Sequence, residues 1–443
     1  MNPLRCAIPA FFLLLQVLPF SPHQKLQRIA QPENTIASQF IVGFDDDLVS
    51  NATAAALGLM ADCCDSEGLI IQFLESAWKA FVVRNLTDVS LSRILDYPIV
   101  QSVEQDHTAA LANLQVHDNP PWGLDRLDQR RLPLDKSYCG IRPTHIDFHG
   151  RVSCGLNLVP DETCEDLHGH GTHVAGIAAG QTHGVAKEAN LISVKVFNRH
   201  GVALISQLLG AVEFVIRSRS LRGNGTAVVN LSVGTAKSWS LNWAIEKASK
   251  EGLVFVVGGG NNGGNACSYS PSSAEAAITV GATTIADNRA SFSNIGPCLD
   301  IFAPGETILS ASHTSDTATA TKSGTSMATA FVSGAAALYI EQNRSLNAFE
   351  IKSSILESTV PGIVRDLPEF LATPNRLVNV RDLVPIEFEH EEGSHFLLWI
   401  RRAAITTATL LTILLVFGLR RRRFNRRKRQ GTSEIREESS SFP

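Results

Sequence analysis

The sequence is short of charge and has little excess of either sign. Only 19% of its 443 residues are Asp, Glu, Lys or Arg, and 39 basic against 43 acidic side chains leave a formal net charge of −4. With 44% hydrophobic residues beside so little charge, a disordered or fibrous chain is excluded, and there is enough apolar material for an ordinary core. The charge is unevenly spread. Arg420–Pro443 holds nine Lys/Arg and three Glu, a balance of +6, so the other 419 residues carry 30 − 40 = −10. An acidic body of that kind argues against nucleic-acid binding. No internal repeat is present, which excludes solenoids and propellers. Long apolar runs are also scarce; there are two, one near each end.

The first run, Ala7–Leu18, follows Arg5 and is too short to span a bilayer. It reads as the hydrophobic part of a signal peptide covering residues 1–21. The second, Ala403–Leu419, is 17 residues without a charge. As a helix it is about 26 Å long, slightly under a ~30 Å hydrocarbon core. Arg401 and Arg402 precede it, and Arg420–Arg423 with Arg426–Arg429 follow it. The positive-inside bias then predicts a transmembrane helix over 403–419, a cytosolic tail over 420–443, and the body of the chain lumenal or extracellular. Residues 361–402 read as a stalk. The sequence has eight cysteines, and with Cys6 lost in the signal seven remain, so one has no partner within the chain. Asn-x-Ser/Thr sequons at Asn51, Asn85, Asn224, Asn230 and Asn343 fit the same compartment.

Residues from about 38 to 107 read as a small α+β unit. Strands are expected at Gln39–Phe44, Ala80–Val83 and Ile99–Gln105, and helices at Asn51–Met60 and Leu86–Leu95. The Pro-ended stretch Thr108–Pro121 reads as a linker. Beyond it the pattern changes. Continuous apolar runs at Leu191–Phe197, Val228–Val233, Leu253–Val257 and Ile278–Val280 alternate with helical stretches at Ile205–Arg217 and Leu241–Ser249, and Ser326–Gln342 is a further helix. Strands without polar alternation, separated by helices, imply an α/β domain whose parallel sheet is covered on both faces. Functional residues then gather at the carboxyl ends of the strands.

Three segments bear chemistry there: His168–Gly176, Gly258–Asn261 and Gly324–Ala328. Ser326 at a helix start needs a base to take its proton, and His170 is the candidate. The helix N-terminus and the Asn261 side chain could both donate to a developing oxyanion. Each segment has a plainer reading. Ser326 could be a helix cap, Gly258–Asn261 a turn, and His168, His170 and His173 a metal set, although three residues at this spacing do not share a helix face.

His170-Gly-Thr-His-Val-Ala-Gly and Gly324-Thr-Ser-Met-Ala together resemble the subtilisin family of serine endopeptidases, most closely its proteinase K-like branch. The resemblance covers about residues 38–360 and includes Ser291-Phe-Ser-Asn and Phe302-Ala-Pro-Gly. It implies a three-layer fold with a parallel central sheet, a peptidase domain at 120–360, and an inhibitory propeptide at 38–107 that chaperones folding and occupies the cleft. It implies that His170 is the general base, Ser326 the nucleophile and Asn261 the oxyanion donor, acting on protein or peptide substrates. Leu231, Ser232, Val233 and Gly234 would line the substrate strand, with Gly258 and Gly260 on the opposite wall. It further implies a Cys267–Cys298 disulfide; Cys154–Cys164 is a second candidate pair. Asp300 occupies the place of a structural calcium ligand, although one carboxylate makes no site alone.

The departures from the pattern are specific. The family orients its histidine with an aspartate on an apolar strand, and that strand is missing where Tyr138 meets Cys139, between two family-like flanks. Asp135 precedes the join, and Asp147 matches an acid with no catalytic duty. Ala330-Phe331 replaces Pro-His, Ala203 replaces Gly in the substrate-pairing loop, and His168 replaces Asn. The missing strand sets a second reading beside the protease: a catalytically inactive, protease-like binding or regulatory protein.

Overall fold

The computed structural model describes residues 26–27, 35–64, 68–76, 78–111, 115–116, 140–221 and 225–381. The expected signal peptide, the Tyr138–Cys139 join, Asp135, the transmembrane segment, the basic tail and the stalk beyond 381 lie outside them. Among the described residues no helix is long and apolar enough to cross a membrane.

The amino-terminal unit runs β1 (Thr35–Phe44), α1 (Ala52–Cys63), β2 (Leu69–Leu74), β3 (Ala80–Arg84), α2 (Asp88–Asp96) and β4 (Val100–Ala110). Its antiparallel sheet has the order β4-β1-β3-β2. Both helices begin on side-chain caps, Asn51 accepting from the Ala54 N–H and Thr87 from the Ser90 N–H. Phe44, Phe81, Val83 and Val103 face the helices and form a core with Leu59 and Ile94. The opposite sheet face is also apolar. Ile41, Trp78 and Val82 pack into the core of the larger domain beside Leu208, Leu241 and Ile245. Gly43 leaves the space that Trp78 fills, since a β-carbon there would lie 1.8 Å from the Trp78 ring. Trp78 is 2% exposed and has nowhere to retreat. Gly43→Ala is therefore expected to cost about 1–3 kcal/mol through overpacking, measured as a lower urea midpoint at unchanged m.

The larger domain contains β5 (Val152–Asn157), α3 (His170–Ala179), β6 (Leu191–Lys195), β7 (Val202–Leu204), α4 (Ile205–Leu221), β8 (Ala227–Leu231), α5 (Trp239–Lys250), β9 (Leu253–Gly258), β10 (Ile278–Thr283), β11 (Ile301–Pro304), β12 (Ile308–Ala311), β13 (Thr319–Ser323), α6 (Thr325–Gln342) and α7 (Ala348–Glu357). Strands β8, β9, β10 and β11 pair in parallel in that order. Every residue of β9 is buried, Phe255 and Val257 toward α4 and α5, Val254 and Val256 toward α3, α6 and α7. This three-layer arrangement matches the expected fold class.

Among the described residues the parallel strands fall into two separate groups. β5 and β6 form a separate parallel pair, and β6 and β8 are not hydrogen-bonded to each other. Between them lies a cavity of about 660 Å³. The residues of β8 are only half-buried, whereas those of β9 beside it are fully buried.

The stretch expected to be a linker is partly strand. Thr108–Ala110 pair antiparallel with β7, and Gln115–Val116 with Lys322 and Ser323 of β13. The backbone N–H and C=O groups of small, unpatterned residues are taken up by strands distant in sequence, which no local signal reports. Cys154–Cys164 and Cys267–Cys298 are disulfide-bonded.

Candidate active site

Helix α6 begins at Thr325 with Gly324 as its cap, so Ser326 lies in the first turn and is not the cap itself. Ser326 is 4% exposed. The Gly258–Asn261 turn sits against the same helix start. Asn261 Oδ1 accepts from the Thr325 N–H and hydroxyl, each at 2.8 Å, and the Gly260 N–H donates to Thr325 Oγ1 at 3.2 Å. These bonds use the Asn261 oxygen and leave its Nδ2 buried without a partner. An unpaired buried amide donor costs free energy unless something accepts from it. At a helix N-terminus that acceptor is an oxygen with negative charge.

Gly258 and Gly260 hold this turn for different reasons. A β-carbon on Gly258 would lie 3.1 Å from Thr325 Oγ1. Gly260 has φ +104°, and a β-carbon there would meet Asn294 Nδ2 at 2.3 Å. Asn294, fully buried, donates to the Gly259 carbonyl at 2.9 Å and accepts from the Gly264 N–H at 2.8 Å and the Asn262 N–H at 3.2 Å. Asn294 and Thr325 thus position Asn261. The expected site residues included neither, and the only sequence signal was the presence of each in a matching motif.

From the other side, the Ser232 hydroxyl donates to the Ser326 carbonyl at 3.2 Å and accepts from Asn230 Nδ2 at 2.9 Å. Ser333 Oγ donates to Asn230 Oδ1 at 3.0 Å. Asn230 is committed to this chain of bonds, so the sequon there is structural. Val233 is buried in the core beside Ala109. Gly234 exchanges both backbone hydrogen bonds with Ala110, at 3.2 and 3.3 Å, and Leu231 closes β8. Ala110 also pairs with Val202, and the Leu111 N–H donates to the Gly201 carbonyl at 3.0 Å. The end of β4 is therefore held as the middle strand between β7 and Gly234, with Ala203 opposite Ala109. Five residues beyond Ala110, Gln115 pairs with Ser323, three residues before Ser326.

His170 is the first residue of α3. Asp166 fixes that helix start. One carboxylate oxygen accepts from the N–H groups of His168 (3.1 Å) and Gly169 (2.6 Å), the other from the N–H (2.8 Å) and hydroxyl (2.7 Å) of Thr172. Gly169 adopts φ +85°, and a β-carbon there would strike His313 at 2.2 Å. Asp166 is thus occupied as a cap and makes no hydrogen bond to His170. His170 Nε2 is buried and unpartnered, and no carboxylate among the described residues is bonded to its ring. Burial pushes the His170 imidazole down to about 3, the charges of His168 and Lys322 adding to the effect and that of Asp166 opposing it. No hydrogen bond joins His170 to Ser326.

The other acid near the join belongs elsewhere. Asp147 accepts from His183 Nδ1 at 2.9 Å and from the Thr182 N–H. Burial alone would raise its carboxyl, but the His183 hydrogen bond and charge, with Thr182, hold it below the ordinary range. The metal reading fails on geometry. His173 Nε2 is 2.9 Å from the Ala320 carbonyl, and no set of three potential ligands exists among the described residues. Asp300 does not fit a calcium ion, since Lys352 Nζ sits 3.0 Å from its carboxylate and the Thr279 N–H donates to the same oxygen at 2.8 Å.

Residues 137–391 match the family model described as the subtilase family. The chain is 39% identical over 328 residues to an extracellular serine proteinase of Thermus sp. (strain Rt41A), a match covering 70% of this chain and 78% of the other. This chain belongs to the subtilase family. The subtilase is also 33% identical over 329 residues to subtilisin-like protease 3 of Saccharomyces cerevisiae, with 66% of this chain and 68% of that protein covered. Among solved structures it is similar to a cold-adapted subtilisin-like serine proteinase, with a TM-score of 0.52 and 37% identity over 59% of this subtilase and 98% of the other chain. These relatives are serine proteases, so the subtilase is a subtilisin-like serine endopeptidase by family.

Proposed function

We propose that this subtilase is a serine endopeptidase of the proteinase K-like branch, made as a zymogen on the secretory pathway. The observation that carries the reading is the buried, unpaired Asn261 Nδ2 beside the Ser326 helix start. Ser326 Oγ attacks the scissile carbonyl carbon while its proton passes to His170. The oxyanion is held by Asn261 Nδ2 and the Ser326 N–H. Collapse breaks the C–N bond, His170 returns the proton to the leaving amine, and water then resolves the acyl-enzyme by the same steps. Substrate pairs as a strand between β7 and Ser232–Gly234, with Gly258 and Gly260 forming the far wall.

The amino-terminal unit serves as the inhibitory propeptide, because its last strand holds the substrate position. Ala110 pairs with Gly234 and Gln115 with Ser323, three residues before Ser326, which supports processing between Leu111 and Gln115. The apolar run 7–18 and the run 403–419 support a signal peptide and a single membrane anchor, with the two disulfides on the lumenal or extracellular side.

A fluorophosphonate, whose fluoride Ser326 Oγ displaces from phosphorus, tests the reading. Labelling and cleavage within 111–115 are expected in the wild type and absent in Ser326→Ala, read by intact mass. Asn261→Ala is expected to slow labelling by about 10²–10³-fold. A wild type that is neither labelled nor cleaved would favour the second reading, a catalytically silent binding protein. That reading is supported by the absence, among the described residues, of a carboxylate bonded to His170.

A further inference from the structure

Among the described residues the amino-terminal sheet has one open edge. On the β4 side the edge is covered: Leu26 and Gln27 pair with Val103 and Glu104, and Thr108–Ala110 pair with β7. β2 pairs along one side only, with β3. Its sequence is Leu69-Ile70-Ile71-Gln72-Phe73-Leu74, six residues without charge, proline or glycine. Leu69, Ile71 and Phe73 are 46%, 42% and 36% exposed. Unpaired backbone groups beside exposed apolar side chains are a template for a strand from another molecule. Short apolar segments of high β-propensity stack most readily. Proteins blunt such edges with lysine, proline, a bulge or a cover. Of these devices β2 itself has only an irregularity of register between Ile70 and Gln72.

Two sequons bracket this strand. Glu75 directly follows β2, and its carboxylate accepts from the Thr53 N–H at 2.9 Å and the Thr53 hydroxyl at 2.6 Å. Thr53 is the third residue of the sequon that starts at Asn51. At the other end of β2, Leu69 is paired with Arg84, and Asn85, next along the chain, starts the second sequon. Both asparagines are exposed. Asn51 caps α1 through Oδ1, which accepts from the Ala54 N–H at 2.7 Å, so the cap does not need Nδ2, the atom that carries an N-linked sugar. Asn85 has φ +59°, a conformation that asparagine tolerates better than most residues. Asn230 contrasts with both, because Ser232 and Ser333 take up its two side-chain polar atoms.

We propose that Asn51 and Asn85 carry N-linked oligosaccharides, which stand at the two ends of β2 and shield its open edge from the same edge of a second copy of the chain. A glycan is bulky and solubilising, so it can guard an edge that no charge protects. The modification depends on the secretory reading above, which supplies the donor, a lipid-linked oligosaccharyl diphosphate. Asparagine Nδ2 forms a bond to the anomeric carbon of the sugar, and the bond from that carbon to the diphosphate oxygen breaks. The diphosphate leaves with the electron pair, and the amide gives up one proton to solvent. Both glycans depart with the amino-terminal unit when it is removed.

The full chain in its Ser326→Ala form, which keeps the amino-terminal unit attached, is expressed in a glycosylating eukaryotic host and purified in detergent. Peptide mapping after amidase release, which leaves aspartate where a glycan stood, is expected to find Asn51, Asn85 and the exposed Asn343 occupied and Asn230 bare. Asn343 occupied with Asn51 or Asn85 bare overturns the proposal and leaves the secretory reading intact; all sequons bare overturns both. Asn51→Ser keeps a cap and Asn85→Gly keeps the positive φ, and each removes its sequon. The double variant is expected to lose its monomer peak in sedimentation velocity at concentrations where the glycosylated chain is monomeric. Adding Ile71→Lys, a charge on the open edge, is expected to restore the monomer. A double variant that stays monomeric overturns the proposal, as does association that Ile71→Lys leaves in place. Amidase treatment of the folded glycoprotein gives the same comparison without the sequon substitutions: it is expected to bring on association that Ile71→Lys suppresses, and a treated chain that stays monomeric overturns the proposal.

Discussion

Lowering the pH from 7 to 5 is expected to remove about 4 kcal/mol of stability through two buried histidines. His170 and His173 are 6% and 0% exposed, and burial holds both imidazoles down to about 3. In the unfolded chain each titrates near 6.5. Between those values the unfolded chain binds more protons than the folded one, so stability is complete above about pH 6.5 and falls as the solution becomes more acid. Each group contributes about 1.4 kcal/mol per pH unit across that window, and two give about 2.7. Against a total of roughly 5–15 kcal/mol, the loss by pH 5 is decisive. Urea midpoints at pH 7, 6 and 5 would show it, and His173→Gln should roughly halve the slope. A midpoint independent of pH over that range would refute the account. The same shift has a catalytic meaning. His170 is neutral and able to accept a proton at physiological pH, but no carboxylate among the described residues is bonded to it to stabilise the cation that forms.

Removing two buried acids of β4 is expected to detach the amino-terminal unit. Glu104 and Asp106 are 1% and 0% exposed. Glu104 Oε2 accepts from the Ser240 N–H at 2.8 Å in the first turn of α5, and Asp106 Oδ1 from the Ser206 N–H at 3.2 Å in the first turn of α4. Asp106 also accepts from Gln39 Nε2 at 2.6 Å. Each carboxylate thus satisfies an orphan donor at a helix N-terminus and meets the positive end of its dipole. Replacing either with alanine removes a charge-assisted bond and strands a buried N–H, about 2–3 kcal/mol each. In the double variant Glu104→Ala/Asp106→Ala, amide protection across Val100–Ala110 and Val202–Leu204 should fall by about 10³-fold or more. Protection within β9 and β10 should hold. Equal loss in all four strands would mean that the domain itself had unfolded. Around these acids, Lys247 to Asp46 at 2.6 Å is a surface ion pair, worth about 1 kcal/mol or less. The Ser76 N–H and hydroxyl donate to Glu213, adding a polar rim.

What the sequence made legible follows from how local each signal is. Leu253–Val257 and Ile278–Val280 read as buried parallel strands because both their faces are covered, and an apolar run records that directly. Thr319–Ser323 did not. Its residues are mostly polar, the two buried ones are Thr321 and Ser323, and its second partner, Gln115–Val116, is distant in sequence. Ser326, Asn261 and His170 were visible as motifs. Thr325 and Asn294, which hold Asn261 and its turn, act through hydrogen bonds reaching 30 to 65 residues along the chain and leave no periodicity. Asp166 caps α3 from four residues upstream, a reach longer than an ordinary N-cap spacing. The join of Tyr138 to Cys139 was legible as an abrupt break in the pattern. The cavity between β6 and β8 needed the fold.

The pairing of Ala110 with Gly234 and of Gln115 with Ser323 has a kinetic consequence. If the amino-terminal unit is the propeptide proposed above, the processed bond belongs to the same polypeptide as Ser326 and is cleaved without any encounter in solution. Removal of the amino-terminal unit should therefore be first order in protein. Its half-time should stay the same over a thousandfold dilution, and an added excess of an unrelated substrate should not compete with it. On the same reading, cleavage of any other polypeptide waits until that strand has left.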